Sequence, residues 1–394
     1  MNRVHIFKHE LVKLLLSPAV LGFLGICLVL NTVMVFTTSH RRREINYLNT
    51  LTEITGTVYG EEYSDRLQSV PEPDRNFYPD SWLYREAIQA AEDARNVFAG
   101  LNGEITEALR ESEAVYSKLT LKIQRWKYGL LAPVIDAKAA SEDGSSVYFG
   151  PQSDTVHEAV FCEFGRLLAA ECCIFFVLIM LWALGYEGMT KTSSVVFASK
   201  TGRRLAVHKI LAALTAGTAF FAVIYALSYG LTFAVNDFSQ VWGQNVSAQY
   251  HTSYDVFFGP LPFITWKSMA VGSYFFATAG TALLNGIVLA LLAVPFGLLV
   301  KNVYTAFCSL AGLCFLHLLY YRFGIQMAKE QIPLAWNLSL IWPLTQIFNN
   351  TLWFTDGGMQ MLLPHFELLY PLVCILLLCP AFALCARRFS RKDI

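Results

Sequence analysis

Apolar residues fall into six long blocks, separated by polar stretches of very unequal length. The blocks cover approximately Pro18–Phe36, Leu167–Leu184, Ile210–Val235, Met269–Val300, Val303–Tyr321 and Glu367–Cys385. A bilayer core about 30 Å thick is crossed by roughly 20 apolar residues in a helix, so each block predicts one transmembrane helix. With their flanks the spans are placed at 18–38, 166–185, 210–235, 269–300, 302–321 and 367–386. Pro295 lies inside the fourth and predicts a kink, or an extension beyond the bilayer. The predicted fold class is all-α and polytopic. It has six transmembrane helices, an N-terminal amphipathic helix and a helical-hairpin ectodomain between helices 1 and 2.

The polar segments carry their own patterns. In residues 1–17, Val4, Phe7, Leu11, Leu14 and Leu15 share one helical face, leaving Arg3, Lys8 and Lys13 for the other. That is the pattern of an interfacial helix running into a membrane span. A plain positively charged anchor is the simpler reading. No small-x-small cleavage site follows the first block, so it is not read as a signal peptide.

Residues 39–165 form the one polar stretch large enough to fold as a soluble unit. After the turn-rich Val70-Pro71-Glu72-Pro73-Asp74, a helix is expected from near Ser81, with Ala87, Ala90, Ala91 and Ala94 as a small-residue face. Beyond the Gly100-Leu101-Asn102-Gly103 break, Ile105, Leu109, Ser112, Tyr116, Leu119, Ile123, Trp126 and Leu130 recur at alternating steps of four and three. This is a heptad seam. The two helices read as an antiparallel hairpin, an arm of roughly 40 Å at 1.5 Å per residue. Such an arm serves either as a rigid spacer or dimer contact, or as an ectodomain that grips a substrate or partner.

Composition narrows the class. Of 394 residues, 55% are hydrophobic and only 15% charged, with mean hydropathy +0.42. Soluble domains carry about 25% charged residues, so a soluble enzyme is excluded, and so is a disordered chain. The formal net charge is zero, but the charges are segregated. Residues 39–165 hold 21 acids and 13 bases, and the rest of the chain holds nine acids and 17 bases. An acidic module on a basic, apolar frame does not suit nucleic-acid binding. The nine cysteines lie in or beside the apolar blocks, with none between Ser39 and Phe161, and no C-x-x-C spacing suggests zinc.

Orientation follows from Lys and Arg in short flanks. With the N-terminus inside, residues 1–17, 185–209, the junction at Lys301 and 386–394 hold 13 bases against the acids Glu10, Glu187 and Asp393. The two shorter outer loops, 236–268 and 322–366, hold only Lys267, Arg322 and Lys329 as bases. Both termini are therefore expected in the cytoplasm, in a multi-pass plasma-membrane protein with a tail at 387–394. Arg41-Arg42-Arg43 then lies outside, which a long translocated domain tolerates.

The segment 186–209 reads Tyr186-Glu187-Gly188-Met189-Thr190-Lys191-Thr192, then Ala198-Ser199-Lys200-Thr201-Gly202-Arg203-Arg204, and on to His208-Lys209. Its acidic-Gly start, short helix, small-polar turn with Gly-Arg, and Lys opening the next span resemble permeases of the ABC type-2 exporter family. The N-terminal segment with Phe7, Lys8, Glu10, Leu11 and Lys13 fits the same family, as do six spans and a polar insertion after the first. The pattern is closest to peptide- and lantibiotic-related permeases of Gram-positive bacteria. It departs at Lys200-Thr201-Gly202, where many members carry a Pro-containing turn. The resemblance implies ATPase subunits in trans, a second permease as homodimer or paralogue, and ATP with Mg in the partner ATPase, with no cofactor on this chain. Glu187, Gly188, Lys191, Arg203, Arg204 and Lys209 are then the candidate ATPase-coupling residues. Physically, Glu187 and Lys191 are i,i+4 neighbours able to pair on a short helix, and Arg203 and Arg204 could meet acidic groups or phospholipid. Simple positive-inside anchoring is the alternative.

Enzymatic signatures are missing from the sequence. There is no G-x-x-x-x-G-K-[ST] and no Gly-Lys dipeptide, no H-E-x-x-H and no G-x-S-x-G. Catalysis is not expected of this chain. Three polar residues inside spans are candidates for a substrate path: Glu171, Asn285 and His317. The alternatives are headgroup depth for Glu171, helix–helix hydrogen bonding for Asn285 and packing for His317. In 322–366 the apolar pieces around Ile332-Pro333, Trp336, Ile341-Trp342-Pro343 and Trp353-Phe354 are too short to span. The resemblance implies short re-entrant helices there, and interfacial anchoring by aromatics is the plainer reading. Asn245, Asn337 and Asn349 open glycosylation triplets, which a bacterial chain leaves bare. The expected function is outward transport of a peptide-like or lipophilic substrate. The competing expectation is a mechanotransmitting or sensory membrane protein that binds a ligand without moving it.

Overall fold

The computed structural model describes residues 3–37, 41–74, 76–192, 195, 205–255, 259–300 and 302–391. The chain is predominantly helical. An amphipathic helix α1 (Arg3–Leu15) turns at Ser17 into α2 (Pro18–Thr37). Then come α3 (Arg42–Thr55), α4 (Glu61–Ser69), α5 (Asp80–Glu92), α6 (Leu101–Glu111), α7 (Lys118–Ala139) and the short α8 (Ser153–His157). A π-helical turn at Glu158–Glu163 leads into α9 (Phe164–Met189). The remaining helices are α10 (Leu205–Val235), α11 (Val271–Leu299), α12 (Val303–Leu319), α13 (Ile332–Ser339), α14 (Pro343–Phe348) and α15 (Phe366–Arg391). Strands β1 (Thr252–Asp255) and β2 (Gly259–Pro262) pair antiparallel, Thr252 opposite Pro262.

Among the described residues, five helices are long and apolar enough to cross a membrane: those containing α2, α9, α10, α11 and α12. The sixth expected span forms α15, but its described apolar part is the shorter Phe366–Phe382, interrupted by Pro371 and Pro380. Pro295 sits within α11 without ending it. The apolar blocks are legible as helices because only a helix satisfies its backbone internally when water is absent.

Helix α9 is the centre of the bundle. In its most apolar window 61% of residues are buried, against 17% for α2 and 11% for α12. The reason is in the small residues around it. Phe176 on α9 lies between Gly217 of α10 and Gly286 of α11, where an added Cβ would come within 2.3 and 2.6 Å of its ring. Phe23, Phe175 and Phe220 join α2, α9 and α10, with Phe175 and Phe220 stacked 3.7 Å apart.

One end of this bundle carries α1. The other carries a single folded cap, built from residues 41–163 together with the loops after α10 and α12. Asn49 donates to Asp237 and Ser239, Tyr250 donates to the Ala90 carbonyl, and Asp154 accepts from both the backbone and the hydroxyl of Thr252. Arg43 forms a bidentate pair with Asp80, which gives one of the three successive arginines a local role.

The expected 40 Å arm is not present. The helix breaks after Glu111 into a 3-10 turn, and Ser117 caps a new helix by accepting from the Thr120 amide. Helices α6 and α7 form a hairpin with each other, while α5 packs its Ala87 and Ala90 into a separate core with Leu51, Tyr63 and Leu67. The seam holds at Ile105, Leu109, Ser112 and Tyr116, which are buried, and falls out of phase in α7. Leu119, Trp126 and Leu130 are exposed, and the buried face of α7 is Leu121, Gln124, Lys127, Tyr128, Leu131, Ile135 and Lys138. Three polar side chains occupy inward positions because remote carbonyls and acids receive them.

Candidate functional site

The most concentrated ionic site among the described residues lies at the α1 end of the bundle. Helix α1 buries Ile6, Glu10 and Leu14, spaced four apart, with Phe7, Leu11 and Leu15 half-buried beside them. An acid therefore stands in the middle of its apolar face. Helix α9 ends at Met189 and brings in Glu187, and α10 brings in Lys209 from its first turns. The Lys209 ammonium lies 2.6 Å from Glu187 Oε1 and 3.4 Å from Glu10 Oε2, and donates to the Ala183 carbonyl at 2.8 Å. Lys13 stands 3.8 Å from Glu10 and 3.3 Å from the centre of the Tyr186 ring. Burial pushes the Lys13 pKa down, Glu10 opposes that, and Lys209 adds to it.

Two acids and two bases give this cluster no net charge, and the interior residues Glu10, Glu187 and Lys209 are all more than nine-tenths buried. Taking a carboxylate from water costs several kcal/mol unless paired and hydrogen-bonded. Here the Lys209 ammonium bridges both carboxylates and satisfies a carbonyl, and Lys13 beside Glu10 supplies the second positive charge. The result is a three-way clasp of α1, α9 and α10.

The expected Glu187–Lys191 pair does not form. The chain leaves α9 through Lys191 in the left-handed region at φ 57, so the helix ends before an i,i+4 partner is available. Glu187 instead faces inward to Lys209, and Gly188 and Lys191 are exposed. Lys8 is exposed on α1. Arg203 and Arg204 lie outside the described residues.

Glu171, Asn285 and His317 are not joined by any hydrogen bond among the described residues. Glu171 accepts from Asn31 of α2 at 2.9 Å, and the same amide donates to Ser228 of α10 at 3.1 Å. Asn285 donates back to the Thr281 carbonyl of its own helix at 3.0 Å, so its amide N–H is used locally rather than across helices. His317 lies 2.9 Å from Thr345 Oγ1 and 3.1 Å from the Ser339 carbonyl, its ring stacked on Trp342. It anchors α13 and α14 to α12. Trp336 lies on α13 and Trp342 precedes α14, while Trp353 and Phe354 follow a further turn at Asn350–Leu352. Asn337 there is buried, donating to the Pro333 and Gln360 carbonyls and accepting from the Leu362 amide and the Tyr370 hydroxyl.

Sequence reasoning missed the polar fasteners of the cap. Lys127 is fully buried and donates to the Asp356 and Gly358 carbonyls at 3.1 and 2.6 Å, while Gln124 donates to the Met359 carbonyl at 2.6 Å. Lys138 meets Asp143 and Ser247, with burial pulling its pKa down against the pull of Asp143. A lysine at a helical apolar spacing was the available signal, but its partners lie more than 200 residues away.

Two apolar hollows accompany these sites. One, of about 350 Å³, lies on the cap with Ile105, Ala108, Tyr128 and Met359 in its wall and Glu104, Glu107 and Glu111 at its rim. The other, of about 300 Å³, lies between α2, α9 and α12, lined by Phe23, Leu178, Trp182, Tyr304 and Phe307 among others. Fold and clasp together define a class, a helical chain with five helices long and apolar enough to cross a membrane. Comparison with protein-family models, curated proteins and solved structures finds no match.

Proposed function

We propose that this chain is the membrane-spanning permease subunit of an ATP-driven ABC exporter. It would move a peptide-like or lipophilic substrate outward, with ATPase subunits bound in trans and a second permease completing the path. The observation that carries the reading is the clasp. An amphipathic helix is tied through Glu10 to Lys209, which in turn holds Glu187, at the ends of the two helices whose connecting segment carries the family-like motif. Force applied by a partner to that segment would pass into α1, α9 and α10 together. Exposed Gly188 and Lys191, with Arg203 and Arg204, are the residues offered to that partner. In this reading both termini are cytoplasmic, and the acidic cap faces outward. The hollow between α2, α9 and α12 suits a lipophilic cargo, and the glutamate-rimmed hollow suits a cationic, amphipathic peptide.

Purification in mild detergent from the native host tests this. An ATPase chain should co-purify, and charge reversal at Arg203 and Arg204 should uncouple ATP turnover from substrate flux in proteoliposomes. Recovery of the chain with no ATPase, or flux indifferent to both reversals, would sink the proposal.

One observation favours a second reading, a mechanotransmitting or sensory protein. Within the cap, Gln124 and Lys127 fasten α7 to residues 356–359, the stretch that leads into α15, so a ligand on the cap could pull on that helix. ATP turnover that responds to a ligand without flux would select it.

A further inference from the structure

We propose that Glu171, Asn31 and Ser228 form a site inside the helix bundle that binds one monovalent cation, a proton or Na⁺. The three residues come from α9, α2 and α10, and they are 7%, 1% and 3% exposed. Asn31 spends its amide N–H groups on Glu171 Oε2 and Ser228 Oγ. That leaves two buried oxygens, Glu171 Oε1 and Asn31 Oδ1, with no hydrogen-bond partner. A carboxylate, an amide oxygen and a hydroxyl are hard oxygen donors, the set that a proton or an alkali cation accepts and a soft metal does not.

The charge arithmetic leads to the same place. No Asp, Glu, Lys, Arg or His occurs within α2, within residues 210–235 of α10, or within α11. Arg166, five residues before Glu171 on α9, donates to Asn350 instead. Lys209 is held by Glu10 and Glu187 at the far end, sixteen positions along α9 from Glu171, about 24 Å. The Cys27 thiol of α2 hydrogen-bonds the Glu171 side chain, and Cys172 and Tyr225 lie beside it. No ion pair to Glu171 exists among the described residues. An uncompensated carboxylate at this depth is costly. A proton on the carboxyl neutralises it and turns one of its oxygens into a donor. Na⁺ would neutralise it with Glu171, Asn31 and Ser228 as the residues that would hold it.

The consequence concerns α2, the least buried helix after α12. Its Asn31 amide bonds to both α9 and α10 here, so cation occupancy adds to the hold that Phe23 already gives α2 on Phe175 and Phe220. The inference stands whether the chain transports or senses, and it does not rest on an ATPase partner.

The test uses the full chain in lipid nanodiscs in Na⁺-free choline buffer. Dicyclohexylcarbodiimide, which attacks protonated carboxyls in apolar surroundings, is mapped by peptide mass spectrometry. Infrared difference spectra compare wild type with Glu171→Gln. Modification of Glu171 and a protonated-carboxyl band lost in the variant are expected. For a proton site, labelling falls as pH rises between about 5 and 9 and ignores NaCl. For a Na⁺ site, NaCl suppresses labelling and choline chloride does not. If Glu171→Gln fails to fold, the wild-type labelling series and Ser228→Ala, expected to weaken the Na⁺ effect, carry the result. A carboxylate that stays ionised over that range, unlabelled and unmoved by Na⁺, overturns the proposal.

Discussion

Lys209 of α10 bonds to Glu187 of α9 at 2.6 Å while reaching Glu10 of α1 at 3.4 Å, so one ammonium bridges acids from two other helices. Its side chain is only 4% exposed, which keeps water from substituting for it. Lys209→Met removes the charge but keeps the volume, leaving the buried Glu187 without its cation and Glu10 with Lys13 alone at 3.8 Å. The expected loss is about 3–5 kcal/mol, the range for breaking a buried pair on one side. Adding Glu187→Gln and Glu10→Gln should recover much of it. Thermal melts of the purified chain check this. Equal melting of the single and triple variants would show that the clasp is not electrostatic.

Lys127 makes a different kind of fastener, since its main partners are the carbonyls of Asp356 and Gly358. Lys127→Met should remove this donor from both carbonyls and its cation from 3.9 Å of the buried Asp356 carboxylate, at about 3–5 kcal/mol. The loss should be local. Amide hydrogen exchange in Thr355–Gln360 and along α7 should accelerate, while exchange in α9 and α11 stays slow. Uniform acceleration would mean that the cap and bundle unfold as one unit.

His251 carries a pH dependence. Its ring is buried, stacked on Phe263 at 3.9 Å and 4.2 Å from His157, and its Nδ1 lies 2.6 Å from the Val246 carbonyl. Burial lowers its pKa to about 4, against the opposing pull of that carbonyl. The folded value is below the unfolded one of about 6.5. Below that pH the unfolded chain binds a proton that the folded chain refuses. Stability is therefore fully present above about pH 6.5 and lost as pH falls toward the folded value, by up to about 3 kcal/mol. Melting temperatures compared between neutral and mildly acidic buffer should fall less in His251→Gln than in wild type. Parallel slopes would assign the acid sensitivity elsewhere.

These residues also mark how far the amino-acid pattern alone reaches. The apolar blocks announce their helices because a membrane-like environment demands long uninterrupted runs, and α2, α9, α10, α11 and α12 start within a few residues of where hydropathy places them. The clasp was legible only as parts. Glu10, Glu187, Lys13 and Lys209 stand out as charges flanking apolar helices, but which acid meets which base depends on helix packing. Local spacing offered Lys191 to Glu187, and helix termination removed it. In α7 the periodicity was real and its phase misleading, because Gln124, Lys127 and Lys138 point inward to partners that no local window contains. Asn31 gave no signal of its own, being one polar residue in an apolar span, until Glu171 and Ser228 were placed beside it.

The packing of Phe176 gives the last prediction. Its ring fills the gap between Gly217 and Gly286, and it is fully buried, so it has no free space to move into. Gly217→Ala places a methyl within 2.3 Å of the ring and Gly286→Ala within 2.6 Å, both well inside contact distance. Either must separate α9 from its neighbour or force the ring off its rotamer, at about 1–3 kcal/mol. Phe176→Leu alone should also destabilise, by leaving a cavity. Combining it with Gly217→Ala should cost less than the sum, because each change relieves the defect of the other. A double-mutant cycle on thermal stability reads that coupling, expected at about 0.5–3 kcal/mol in the favourable direction. Strict additivity would mean that α9 and α10 do not pack through Phe176 and Gly217, and the central place of α9 in the bundle would have to be redrawn.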